Sequence, residues 1–260
     1  MSAGAVVGLV LAGGRSVRFG GEKAVALLDG RPLLEWAAER LRSVCARVAI
    51  NVRAGSEAES VAQARSLPAL YDEAGDALGP LAGVKVGLIW AEAQGARLLA
   101  VSPCDAPLLP DALYVRLLEH ANGGPAMAET RDGRQPLCAI WPVTSLPDVR
   151  EALRAGAHPP TWQMLERIGT RKVFFDGPEA FANVNTREDL AAVPARRARL
   201  PSRRAPGFGR RGAHSVAPRG SGAAAPLTVS SRCPSSPRSC RWRRGTCRTP
   251  SSCTCCRPCL

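Results

Sequence analysis

Gly13, Gly14, Ser16, Arg18, Gly20 and Lys23 crowd into one short stretch directly after the apolar run Val6–Leu11. Paired glycines let a backbone take positive φ and come close to a ligand, so that successive N–H groups can converge on phosphate oxygens. Ser16 adds a hydroxyl, and Arg15, Arg18 and Lys23 add cations able to neutralise a triphosphate. The spelling is not a Walker loop, since no Gly-Lys-Ser/Thr follows the glycines, and it is not Gly-x-Gly-x-x-Gly. A second chemistry-bearing group is Ser102-Pro103-Cys104-Asp105-Ala106-Pro107, in which prolines hold one carboxylate just past another apolar run. One carboxylate plus nucleotide phosphates is a usual way to hold Mg²⁺, an ion that keeps several waters and takes few protein ligands. Asp105 is therefore the candidate metal ligand. His120, His158 and His214 are isolated from any nucleophile, and the first 194 residues hold no cluster with zinc spacing.

These residues need elements to position them. Val6–Leu11 has the length and β-branched content of a buried strand that ends in the glycine loop. Asp29-Gly30 makes a turn. Pro32 then opens a helix with Leu33, Leu34, Trp36, Ala37, Leu41 and Val44 at helical spacing. Residues 47–52 form a strand that includes Asn51, residues 57–66 a helix, 81–94 another helix and 97–101 another strand. This alternation belongs to a parallel, doubly wound sheet. Asp105 then lies beyond the carboxyl end of a central strand, where open α/β sheets bind ligands. Glycine costs a helix roughly 0.5–1 kcal/mol relative to Ala, so Gly83 and Gly87 imply close packing or close approach to a ligand. Asp72 and Asp76 precede that helix.

Asp111 is better placed than Asp105 to cap a helix over 110–120, which stops at Asn122-Gly123-Gly124. Strands over 126–130 and 137–141, joined by a turn at 131–134, form a hairpin inserted into the alternating pattern. That hairpin could wall off an acceptor site, with Gln135 as its most suggestive polar residue. Helices over 146–155 and 161–168 and a strand over 172–175 follow. Thr186 and Asp189 then read as a capping box with Asp in place of Glu, starting a last helix. Asn183 and Asn185 share one face if their segment is extended.

The net charge of +13 would suit a nucleic-acid binder, but it is unevenly spread. From Ala195 onward lie 15 of the 35 basic residues, all arginine, and no Asp or Glu, which leaves 20 basic against 22 acidic residues before it. The first 194 residues are thus slightly acidic and give no reason to expect nucleic acid. Cys45, Cys104 and Cys138 sit singly before the same boundary, as expected of reduced cytosolic thiols, and the other seven cysteines follow it. No run reaches the roughly 18 apolar residues of a membrane span, so the expectation is a cytoplasmic protein without a membrane partner. The organisation expected is a domain over 1–194 and a tail over 195–260. The tail is rich in Arg, Pro, Ser and Cys and too poor in apolar residues to offset its ordering entropy. It reads as a basic arm, as a zinc module using Cys253, Cys255, Cys256 and Cys259, or as a GC-rich coding region translated out of frame. Composition favours the last.

Four segments, LAGGRSVRFGGEK, GPLAG preceded by Asp72, SPCDAPLL and NVNTREDL, together resemble the molybdenum cofactor guanylyltransferases. The resemblance covers roughly residues 5–193. It implies a three-layer α/β/α sandwich around a Rossmann-like, mostly parallel mixed sheet of the nucleotide-diphospho-sugar-transferase type. It also implies transfer of GMP from GTP to the terminal phosphate of molybdopterin, with Mg²⁺ as cofactor and pyrophosphate released. Leu11, Ala12, Gly13 and Gly14 match the nucleotide-contacting loop, Lys23 the phosphate lysine with Arg18 beside it, Asn51 and Asp72 nucleotide contacts, and Asp105 the magnesium ligand. Asn183 and Asn185 match a pair that remains open between metal, phosphate and pterin contacts, and Gln135 is a candidate pterin or metal contact. An acidic residue at 72 suits guanine, whose N1–H and 2-amino group are donors. Gly13 leaves room for a purine, whereas Phe19 in Arg-Phe-Gly is a spelling of a related cytidylyl branch, so CTP is the rival nucleotide. A nucleotide-binding protein without catalysis, using its basic tail, is the rival of another class. Acceptor molybdoenzymes or their chaperones are the further partners the resemblance leaves open.

Overall fold

The computed structural model describes residues 6–14, 17–73, 79–154 and 159–199. Arg15, Ser16, Asp76, His158, His214 and residues 200–260 lie outside the described residues. In chain order the elements are β1 (Val6–Leu11), β2 (Leu27–Leu28), β3 (Arg31–Pro32), α1 (Leu33–Arg42), β4 (Val48–Asn51), α2 (Glu57–Ala64), β5 (Ala69–Leu70) and α3 (Pro80–Ala93). Then come β6 (Leu98–Pro103), α4 (Leu113–Ala121), β7 (Ala126–Thr130), β8 (Gly133–Pro142), α5 (Leu146–Arg154), α6 (Thr161–Arg167), β9 (Arg171–Phe174) and α7 (Arg187–Arg199).

Among the described residues the main sheet has seven strands in the order β5-β4-β1-β6-β8-β7-β9. β1 pairs in parallel with β4 and with β6, and β8 alone runs against its neighbours. The chain moves outward from β1 to β4 and β5 and then returns to lay β6 on the other side. The crevice at the carboxyl ends of β1 and β6 is therefore the point at which the winding reverses.

Alternation along β1 sorts the core into two layers. Val6 and Val10 pack with Leu34, Leu41, Ala62, Leu113 and Leu117 of α1, α2 and α4 on one face. Val7 and Leu9 pack with Leu81, Val84, Leu88, Val149 and Leu165 of α3, α5 and α6 on the other. The result is the expected α/β/α sandwich. A third, smaller cluster joins Phe19, Leu28, Leu33, Leu108, Val184 and Val193, and so ties the region after the glycine loop to α7.

Several details differ from the sequence reading. α4 starts at Leu113 with no side-chain cap, because Asp111 pairs with Arg40 of α1 instead. The hairpin turn is tighter than 131–134, since Thr130 already faces Gly133, and the register then jumps between Met127 and Ala128 from Ala139 to Gln135. Pro136 has no N–H to offer the ladder, which accounts for a bulge there. The short strand β5, paired to β4 at Ile50 and Asn51, carried no sequence signal. α7 continues through Pro194 to Arg199, so the compositional break at 194/195 falls inside a helix. No helix among the described residues is long and apolar enough to cross a membrane.

Candidate active site

Lys23 and Asp105 meet. The Lys23 ammonium lies 2.7 Å from Asp105 Oδ2, and both side chains are mostly buried, at 13% and 19% exposure. Lys23 also donates to Asn185 Oδ1 at 3.2 Å. Each partner is placed by its own element. Lys23 opens a short 3₁₀ turn, and the preceding Glu22 pins that turn by pairing with Arg53, between β4 and α2, at 2.6 Å and accepting from Ala58 N of α2 at 2.9 Å. Asp105 follows β6 with only Cys104 between them, and its carbonyl accepts from Val184 N at 2.8 Å. That bond lays the 183–185 segment against the Asp105 loop. With Val184 buried, Asn183 and Asn185 are both exposed, as an extended piece requires. The Asp189 carboxylate accepts from the backbone of Asn185 and Thr186 at 2.9 and 3.0 Å, while Asp189 N donates to Thr186 Oγ1 at 3.1 Å. The reciprocal box thus holds Asn185 beside Lys23, and those backbone donors lower the Asp189 pKa.

A second group sits two strands away. Asn51 ends β4, is 4% exposed, and donates through Nδ2 to Asp72 Oδ1 at 2.8 Å and to Leu70 O at 3.4 Å. A Cβ on Gly13 would stand 3.3 Å from Asn51 Oδ1, and one on Gly83 would stand 2.6 Å from it and 2.7 Å from Leu11 Cδ2. Leu11 is half-buried and Ala12 buried, with Ala12 N donating to Asn51 O at 2.9 Å. Gly14 is exposed. Leu11 is in register with Asn51 on one side and Pro103 on the other. The amide and carboxylate of one group and the ion pair of the other are therefore two strand spacings apart, about 10 Å, across the end of β1. That span is about the length of a nucleotide.

Arg18 is exposed, and among the described residues it forms no ion pair with this group. Gln135 is half-buried opposite Ala128 on the β7–β8 hairpin, and among the described residues it is not joined to Lys23 or Asp105. Phe19 is buried in the small third cluster, with the Arg187 guanidinium 5.6 Å from its ring. It is a packing residue of that cluster. His120 Nδ1 faces the Arg116 carbonyl at 2.8 Å on α4.

The three thiols are buried. Burial pushes Cys45 and Cys104 each up to about 12, the Asp105 charge adding to the rise at Cys104 and Lys23 opposing it. Cys138 is likewise raised by burial. Buried thiols that stay protonated at neutral pH are poor nucleophiles. No group of three His, Cys, Asp or Glu side chains able to hold a metal occurs among the described residues. The Asp105 carboxylate and the Asn185 side-chain carbonyl, which share Lys23, are hard oxygen ligands of the kind magnesium takes when phosphates and water complete its shell. Glu22 and Lys85, the latter buried on α3, carry no local pattern that marks them; Lys85 is only a charge inside an apolar run.

The MobA-like NTP transferase domain matches residues 8–170. Molybdenum cofactor guanylyltransferase of Cereibacter sphaeroides is 40% identical over 185 residues, covering 71% of this chain and 93% of that protein. The protein of the same name from Rhodobacter capsulatus is 35% identical over 196 residues, covering 74% and 96%. Among solved structures, molybdopterin-guanine dinucleotide biosynthesis protein A from Archaeoglobus fulgidus superposes with a TM-score of 0.56 at 22% identity, over 71% of this chain and 95% of that one. The 2-C-methyl-D-erythritol 4-phosphate cytidylyltransferase of Thermus thermophilus gives 0.54 at 19%, over 72% and 96%. At such identities the two structures support the fold alone, but the sequence relatives go further: the chain belongs to the molybdenum cofactor guanylyltransferase family, within the MobA-like NTP transferases.

Proposed function

We propose that this protein transfers GMP from GTP to the terminal phosphate of molybdopterin, forming the guanine dinucleotide cofactor and releasing pyrophosphate. The observation that carries the reading is the Lys23–Asp105 pair, set by the glycine loop and Asn185 at the reversal point of the sheet. An acceptor phosphate is already an anion, so no protein nucleophile is needed. One of its oxygens forms a bond to the α-phosphorus of GTP as the α–β bridging bond breaks, and the electron pair leaves with pyrophosphate. The protein contributes placement and neutralisation of charge. Lys23 would move from Asp105 to the phosphates, with Arg18 reaching them from the exposed side of the loop. Asp72 and Asn51 would hold the guanine edge, and Leu11 to Gly14 would pass beneath the nucleotide.

Asp105 fits as the protein ligand of a magnesium ion, with Asn183 and Asn185 near it, and such an ion supplies charge neutralisation at the phosphates when bound. Residues 1–199 would contain the whole machinery, and acceptor molybdoenzymes or their chaperones would receive the product. A cytidylyl preference has no structural support from Phe19, which packs in the small third cluster, and a non-catalytic role suits poorly a site that keeps both Lys23 and Asp105. The test is Asp105→Asn: pyrophosphate release should fall by roughly 10²–10³-fold with circular dichroism unchanged. Near wild-type turnover would remove Asp105 from the chemistry, and a lost fold would make its role structural.

A further inference from the structure

α3 is buried on nearly every side along 81–88, and Lys85 is the charged residue of that run. It keeps 6% of its exposure, and its Nζ donates to Glu73 Oε2 at 2.9 Å. Burying an ammonium is costly unless it is paired, and an apolar side chain of similar volume would pack there without that cost. Lys85 therefore needs a reason other than stability.

The reason lies in the segment just after β5, where three consecutive side chains are tied to three different elements. Tyr71 Oη donates to Glu59 Oε1 of α2 at 2.6 Å. Asp72 Oδ1 accepts from Asn51 Nδ2 of β4 at 2.8 Å. Glu73 Oε2 accepts from Lys85 of α3. The middle residue is the carboxylate at the base end of the site, and its two neighbours are held independently of it. Lys85 sits two positions beyond Gly83, whose missing side chain lets α3 come against Asn51. One short stretch of α3 thus sets both the wall and the edge of the same pocket.

We propose that Lys85 is a positioning residue for nucleotide specificity: through Glu73 it fixes the backbone around Asp72, so that the Asp72 carboxylate meets a purine edge carrying N–H donors. The inference rests on the guanylyl-transfer reading and adds to it the residue that enforces the base. A carboxylate free to drift loses the discrimination that a directed pair of hydrogen bonds gives, while the phosphate chemistry at Lys23 and Asp105 is untouched.

The experiment uses the full chain, with molybdopterin and Mg²⁺, and compares GTP with CTP for the wild type, Lys85→Met, Glu73→Gln and the double variant. Methionine keeps the apolar stem and removes the charge. Lys85→Met should raise KM for GTP by about tenfold with kcat within about twofold, and should narrow the preference for GTP over CTP. Glu73→Gln should move both in the same direction, and the double variant should be no worse than Lys85→Met, because the two residues act along one path. A Lys85→Met protein that melts earlier but keeps KM and preference would overturn the proposal, as would effects that multiply in the double variant. Should Lys85→Met not fold, Glu73→Gln decides alone, since Glu73 is exposed. A wild type that does not prefer GTP sinks the guanylyl reading and this inference with it; a wild type that prefers GTP beside an unaltered Lys85→Met sinks only the inference.

Discussion

A methyl group added at Gly83 would stand 2.6 Å from Asn51 Oδ1, whereas one at Gly87 would meet Leu9 Cδ2 at 2.5 Å. The neighbours differ in kind. Leu9 Cδ2 is the end of an aliphatic side chain, but Asn51 is held by Asp72 and Leu70. Gly87→Ala should cost about 1–3 kcal/mol, since Leu9 and Leu99 on its far side are both fully buried, but should leave KM for GTP unchanged. Gly83→Ala should cost about 1–3 kcal/mol and raise KM for GTP severalfold, read by thermal melting and steady-state kinetics side by side. Equal kinetic effects of the two substitutions would mean that Asn51 does not line the nucleotide pocket. The sequence marks both glycines as sites of close approach and cannot say to what, because Asn51 and Leu11 reach Gly83 only through the order of strands. The same holds at Lys23 and Asp105, which are legible as a cation of the glycine-rich stretch and a carboxylate past a strand but lie 82 positions apart.

At the scale of elements, local patterns read well and mutual pairings read poorly. The Thr186–Asp189 box is visible as spelling and forms as expected, and it carries a pH dependence. The pKa of Asp189 is lowered by the backbone N–H groups of Asn185 and Thr186. A depressed carboxylate contributes its stabilisation fully above the ordinary carboxylate range and loses it as pH falls through the lowered value. Acidification below about pH 4 should thus loosen the start of α7, and Asp189→Asn should remove that part of the acid sensitivity, seen as a flatter melting temperature between pH 3 and 6. An unchanged profile would mean the box closes without the charge. Thr186→Ala should cost about 1 kcal/mol in the same melts. The helices at 33–42 and 80–93 and the strands at 6–11 and 126–130 stood in the apolar periodicity. β5 did not, since two residues are too few to show a period, and the start of α4 did not, because Arg40 claims Asp111.

For the whole molecule, the alternation of strands and helices announced a parallel sheet, and the reversal beside β1 explains why the glycine loop and Asp105 share one edge. That reversal is a tertiary choice and leaves no mark on the sequence. The compositional break at 194/195 was legible, yet α7 passes through it to Arg199, so a chain ended after Arg199 should keep full turnover while one ended at Pro194 should melt earlier. Loss of activity in the longer of the two would give residues 200–260 a function. The central claim is tested most directly by pyrophosphate release from the purified protein with molybdopterin and Mg²⁺, with GTP and CTP supplied in separate reactions. Release with GTP and little with CTP is the result expected from Gly13, Asn51 and Asp72; release with CTP in preference, or with neither nucleotide from a folded sample, would contradict it.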